Sequence, residues 1–414
     1  MGRISQVQRA DLITRATIFH WTLLCLAMVA VTSCSTHRVK SANHVPVERE
    51  TAQLPEHHLL DVGVQVFDTG LDQALEDDDL LIFPEVRKAE SHYMAHHVME
   101  SLQTSAAWGA VRVVPDSHNA VDILVRGEIV QSDGELLLLR VAVEDASGRL
   151  WFDRVYQGLA SKYAYQRRPG TDNTADPFQG MYNQIANDML THRQKLSEQR
   201  LSEIRTIGEL RFARSFSPEA FGDHLTQNKK GHYEITRLPA VNDPMLARIQ
   251  RIRERDYLFV DTMQQHYGNF VHQMDRPYQE WRKQTYEEVV AMRDLRRTAR
   301  NRTIAGIASI VGGIAAAGNN SGSARAAGQV GVIGGGYMVK SGFDKGSQAK
   351  IHIEALQELG DSLEAEIQPQ VIELEDRTIT LSGTVENQYE QWRELLQEIY
   401  RADTQGMNAS GTLE

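Results

Sequence analysis

The chain has 414 residues, 55 acidic against 44 basic, a formal charge of −11 and a negative mean hydropathy. Such an acidic chain repels phosphate backbones, which argues against nucleic acid as a partner. Its length allows two or three domains; of its two cysteines, Cys25 lies in an apolar run that reads as a removed signal, so a mature chain keeps Cys34 alone and has no disulfide framework to build.

Residues 1–33 read as an export signal. Arg3, Arg9 and Arg15 supply a positive start, and an apolar run follows from Phe19 to Cys34, FHWTLLCLAMVAVTSC. About thirteen apolar or small residues precede Ser33, short of the roughly 20 that span a bilayer. An ordinary transmembrane helix and a signal cleaved elsewhere are the alternatives. Val31-Thr32-Ser33-Cys34 resembles the lipobox of bacterial lipoproteins. That resemblance implies that Cys34 takes lipid, becomes the mature N-terminus and tethers the protein to a membrane. Ser35 stands where an inner-membrane retention signal carries Asp, so the resemblance favours the periplasmic face of the outer membrane. Residues 34–56 are polar and aperiodic and read as a tether.

Residues 57–200 read as an α+β domain. Leu60, Val62, Val64 and Val66 alternate with Asp61, Gly63, Gln65 and Phe67, as in a strand with two different faces. An acidic stretch, Glu76 to Asp79, precedes a helix from Pro84 to about Ser105, with Val86, Ala89, Tyr93 and Leu102 as its inner stripe. Strands follow at Ala110–Val114, Val121–Val130, Glu135–Glu144 and Leu150–Tyr156. Asp133-Gly134 and Ser147-Gly148 form their hairpin turns, because glycine supplies the positive φ such turns require. Leu136 to Leu139 is apolar at every position, which predicts a strand covered on both faces. A helix near Phe178–Gln199 closes an α+β layer sandwich.

Ala120 to Gly127, followed by Val143 to Trp151, resembles the envelope domains of curli-secretion lipoproteins, penicillin-binding-protein activators and the TolB N-terminal module. The likeness covers roughly 59–200 and implies a protein-binding envelope module rather than an enzyme. In the predicted helix His92 and His96 stand one turn apart, with His97 beside them and His57-His58 upstream. The spacing suits a metal pair, but without a third ligand these read as ordinary helix histidines and no metal or cofactor is implied. There is no Gly-x-Ser-x-Gly elbow, phosphate loop or Cys-His pair, so no catalytic residue is named and a hydrolase is disfavoured.

Residues 201–302 read as a helical arm. Ser217-Pro218-Glu219 looks like a helix start, the pattern breaks around Gly231 to Val241, and Asp243-Pro244 restarts it. Phe259, Met263, Tyr267, Phe270 and Met274 recur at steps of 4, 4, 3 and 4, and after Pro277 a second series runs from Trp281 to Ala299. Such spacings suit helix-on-helix packing, in an intramolecular bundle or in a self-associating stalk.

Residues 303–343 form two Gly-, Ala- and Ile-rich runs around a polar turn, Asn319 to Arg325. Gly306, Gly312, Gly313, Gly328, Gly331 and Gly335 would let helix backbones approach closely, and the stretch resembles the glycine-zipper segments of some outer-membrane lipoproteins. Arg293, Arg296, Arg297, Arg300 and Arg302 precede it, and Lys340 and Lys345 follow, a basic collar suited to anionic headgroups. A packed soluble hairpin, a membrane-inserted or membrane-lying hairpin and an unstructured loop all remain open. Residues 344–414 read as a helix from Ile351 to Ile367, a hairpin of Val371–Leu374 with Thr378–Leu381, and a last helix with Tyr389, Trp392, Leu396 and Ile399 on one face. Thr380 to Val385 faintly resembles the core of the BON domain. The expectation is a lipid-anchored, non-enzymatic scaffold or regulator with an unknown envelope protein partner. The alternative is a homo-oligomeric secretion or pore component that inserts its hairpin.

Overall fold

The computed structural model describes residues 38–40, 45–52, 54–71, 82–115, 121–161, 163–165, 176–316, 354–355, 357–358, 370–373 and 378–410. Cys34, the acidic stretch Glu76–Asp79, and Gly328, Gly331, Gly335, Lys340 and Lys345 lie outside them, as does most of the helix expected at Ile351–Ile367.

The class is α+β. Six strands form one mixed sheet: β1 (Arg38–Lys40), β2 (Val62–Gln65), β3 (Val111–Val114), β4 (Ile123–Ser132), β5 (Leu136–Asp145) and β6 (Leu150–Leu159). Their order is β1-β6-β5-β4-β2-β3. β4, β5 and β6 are an antiparallel meander. β2 lies parallel to both β3 and β4, and β1 lies parallel to β6. Helix α1 (Pro84–Thr104) is the crossover between the parallel strands β2 and β3. Its Pro84 sits in the first turn, where a missing N–H leaves no bond unmade.

The two hairpin turns form where the dipeptides place them. Gly134 and Gly148 have φ of +78° and +79°, and the Asp133 carboxylate accepts from the Glu135 and Leu136 N–H groups at 3.1 and 2.8 Å. Leu137, Leu138 and Leu139 are all buried, as the unbroken apolar run requires.

Helix α2 (Gln179–Arg193) packs on α1 and β6 through Met181, Tyr182, Ile185 and Met189. Helix α3 (Glu198–Phe216) follows after a turn, so the boundary expected between 200 and 201 falls inside an element. Its N-cap Ser197 accepts from the Arg200 N–H. The start expected at Ser217-Pro218-Glu219 makes only one turn, α4 (Pro218–Phe221), because Gly222 and a second tight turn stop it. The break near Gly231 is a small hairpin of β7 (Leu225–Gln227) and β8 (Tyr233–Ile235).

Helix α5 then runs without interruption from Pro244 to Ala316. Its 73 residues amount to roughly 110 Å. It passes through Pro277, which removes one helical hydrogen bond. The following turn is deeply buried, with Tyr278, Trp281 and Arg282 at most 2% exposed, and that packing offsets the loss. The boundary expected between 302 and 303 therefore lies within one helix. Strands β9 (Gln370–Glu373) and β10 (Thr378–Leu381) pair antiparallel, and α6 (Val385–Ser410) packs on α5. Trp392 stacks on Phe259 with ring centroids 4.8 Å apart. Sheet, α1, α2, α3, α5 and α6 contribute side chains to one continuous apolar cluster.

The tether expectation needs correction. Residues 45–50 are docked along α2: Asn187 Nδ2 donates to Pro46 O at 2.9 Å, Glu48 N donates to Asn187 Oδ1 at 2.8 Å, and Asn183 Nδ2 donates to Val45 O at 2.8 Å. Glu50 N donates to Ser105 O at 2.9 Å. Main-chain bonds do the holding, so no side-chain periodicity announces it.

Candidate functional site

The feature that most distinguishes this fold is a polar seam along which α5 is fastened to the α+β body. It has three stations, and the first and last are 29 residues apart, about 44 Å along the helix.

At the first, Arg253 of α5 reaches Asp122 at the head of β4, Nη2 to Oδ1 at 3.4 Å. Arg205 of α3 approaches the other oxygen at 3.8 Å, and the Asp61 N–H donates to it at 2.9 Å. Asp122 is wholly buried, and burial pushes its carboxyl up to about 6 against the pull of Arg253. Gly208 of α3 stands where an added Cβ would come within 2.6 Å of Asp122 Oδ1, so glycine allows that approach. Three residues further along α5, burial likewise raises Asp256 to about 6, with Arg393 and Tyr389 of α6 beside it.

At the second, α5 closes the edge of the sheet. Among the described residues, strand β3 has a neighbouring strand on one side only. On the other, Gln264 Oε1 accepts from Val113 N at 2.9 Å and Gln264 Nε2 donates to Val113 O at 2.7 Å. The adjacent Arg112 makes a two-pronged ion pair with Asp261, at 2.5 and 2.9 Å.

At the third, Arg282 is completely buried. Its Nη1 lies 2.5 Å from Asp176 Oδ2, and its guanidinium stands 3.8 Å from the centre of the Tyr278 ring. Tyr93 donates to the same Asp176 oxygen at 3.0 Å, while Tyr278 and Ser132 donate to Glu90 Oε1 at 2.5 and 2.6 Å. Burial opposes ionisation of Asp176, yet Arg282 holds it below the usual carboxylate range; burial raises Glu90. The β4–β5 turn seals the station. Gly134 abuts the Arg282 carbonyl, and Tyr165 donates to Gly134 O.

The predicted stripe of α5 is thus an intramolecular seam: Phe259, Met263, Tyr267, Phe270 and Met274 are buried, together with Trp281 and Val289. Gly306, Gly312 and Gly313 lie on the last three turns of the same helix. The histidines of α1 serve packing. His92 faces Tyr267 and Phe270, with ring centroids 5.8 and 6.0 Å away. His96 and His97 approach the two oxygens of Glu100 at 3.4 and 3.1 Å. His57 and His58 lie against each other in a single 3-10 turn. Among the described residues no group of three His, Cys, Asp or Glu is placed to hold a metal, and no helix is long and apolar enough to cross a membrane.

On the outer face of the sheet an open groove of about 740 Å³ includes Arg126, Glu128, Arg140 and Asp153. Its charges pair locally, Arg140 with Asp153 at 2.7 Å and Arg126 with the neighbouring Glu144 at 3.0 Å. Asp122 lies in the Ala120–Gly127 segment that carries the family resemblance, but no buried role is read from it; Asp176 carries no motif, and the signal for Arg253 and Arg282 is charge at positions that continue the apolar stripe of α5. No family model, curated protein or solved structure matches the chain.

Proposed function

We propose that this chain is a non-enzymatic cell-envelope lipoprotein, anchored through Cys34 to the periplasmic face of the outer membrane, in which the α+β body holds α5 as a rigid arm for an envelope assembly. The supporting observation is the three-station seam. Buried ion pairs and hydrogen bonds contribute little net stability but specify one geometry, and over about 44 Å they leave α5 a single position on the body. An arm so held transmits the orientation of the body to its far end, as a scaffold or regulator requires. The buried acids with raised pKa, Asp122, Asp256 and Glu90, all lie in helix seams, an arrangement suited to structure rather than catalysis.

A second reading is an oligomeric secretion or pore component. It draws on the continuity of α5, which carries Gly306, Gly312 and Gly313 on the same helix that is clamped to the body. The test is a Cys34→Ala variant exported by a cleavable, non-lipid signal. A soluble monomer or dimer after a high-salt wash supports the scaffold. Retention in membranes, or a large homogeneous particle, overturns it in favour of the pore.

A further inference from the structure

We propose that the groove between the C-terminal end of α1 and helix α2 is a peptide-binding site that reads an extended main chain and one carboxylate. Residues 45–50 are its cis occupant, and an extended acidic peptide of a partner protein displaces them. With residues 45–50 in place Asn183 and Asn187 are 8% and 5% exposed, and the body itself orients Asn183. Ser101 and Gln179 donate to the Asn183 carbonyl at 3.0 and 2.9 Å, which turns its NH2 towards the peptide. Asn187 takes both a donor and an acceptor from the occupant, two residues apart, a pairing that ignores side-chain identity. Ser105 O receives a further main-chain N–H.

The occupant fits this site incompletely. Arg193 is 3% exposed, and its Nε and Nη2 have no hydrogen-bond partner among the described residues. Only Nη1 meets Glu50 Oε2, at 3.4 Å. The other Glu50 oxygen is turned back to its own chain, accepting from the Thr51 and Ala52 N–H groups at 3.0 Å each. A guanidinium fork with free donors calls for a carboxylate that presents both oxygens. Pro46, Glu48 and Arg49 are exposed, and none of the six side chains is buried, so the segment has no apolar anchor. It competes by being covalently attached, which gives it a high effective concentration. A peptide amide that ends at the glutamate keeps one N–H after it but lacks that of Ala52, so its carboxylate turns more readily to Arg193.

The test uses the full chain in detergent and an acetylated, fluorescent peptide amide, VPVEQE, whose glutamine replaces Arg49 so that trypsin leaves it intact. Binding is read by anisotropy to a Glu48→Pro/Glu50→Gln chain, which weakens the cis occupant. The expected result is saturable binding at least tenfold tighter than to the wild type. It falls at least tenfold with Asn187→Ala, or when the final glutamate of the peptide is glutamine. In the wild-type chain, excess peptide is expected to raise tryptic cleavage after Arg49 at least fivefold, which needs no variant to fold. No saturable binding to the opened chain, binding indifferent to both changes, or unchanged cleavage at Arg49 overturns the proposal. None of these readouts depends on lipid at Cys34, so the envelope reading stands or falls separately.

Discussion

Gln264 pairs its side-chain amide with both main-chain groups of Val113, at 2.9 and 2.7 Å, and so occupies the place of a seventh strand beside β3. A helix cannot continue a sheet with its own backbone, whose polar groups are already engaged. A glutamine can, because its amide is a peptide group on a flexible stem. An open edge is a template for another chain, and here the helix that the body must hold is also what closes it.

Gln264→Ala removes both bonds and leaves the Val113 N–H and C=O without partners. The expected loss is about 1–3 kcal/mol in urea denaturation. Concentration-dependent self-association by light scattering is expected alongside it, since the edge of β3 is bared. A variant that stays monomeric at unchanged stability would show that the contact is incidental.

Arg282 and Asp176 are both buried, so removing either one strands the other. Arg282→Met and Asp176→Asn are each expected to cost about 3–5 kcal/mol in thermal or chemical denaturation. The double variant is expected to be less damaged than the sum, because no charge is left unpaired. Strict additivity in that cycle would contradict direct coupling.

The pH response of Asp122 has a definite sign. Its folded carboxyl titrates at about 6, above the ordinary 3.8, because burial disfavours the charged form. The folded state thus holds more protons than the unfolded state between those values, and this group adds stability as pH falls from 7 towards 4. Comparing wild type with Asp122→Asn isolates it from other groups. The wild type is expected to gain on the order of 2 kcal/mol relative to the variant across that window. A parallel pair of pH profiles would refute the assignment.

Gly134 has φ of +78° and abuts the Arg282 carbonyl. Gly134→Ala adds a left-handed cost of about 1–2 kcal/mol and pushes the turn off α5. Gly148 has the same conformation, but an added Cβ there meets nothing nearer than 3.7 Å. Gly148→Ala is expected to show the conformational cost alone, so Gly134→Ala should be the more damaging in thermal melts. Equal losses would argue that the turn does not support the helix.

Local chemistry was legible wherever it was repeated or punctuated. The period-2 pattern at Leu60–Val66, the Asp133-Gly134 and Ser147-Gly148 turns, Pro84 at a helix start and the Phe259–Met274 stripe each became the expected element. Expectations stopped short where one residue had two possible outcomes. The sequence shows separate series before and after Pro277, and the burial of Tyr278 and Trp281 joins them in one helix. Ser217-Pro218-Glu219 reads as a helix start, and a helix does begin there, but Gly222 ends it after one turn. Residues 45–50 read as slack because they bond through their main chain, which sequence patterns do not register.

The sequence by itself determined the class, the order of most elements and the apolar faces, because periodicity and turn residues act within a few positions of one another. Only the tertiary structure decided which charges are shared. Asp122 meets Arg253 and Asp176 meets Arg282 across 131 and 106 residues. Such pairs depend on how the sheet and α5 lie against each other, and a lone buried acid or arginine carries no local mark of the partner that neutralises it.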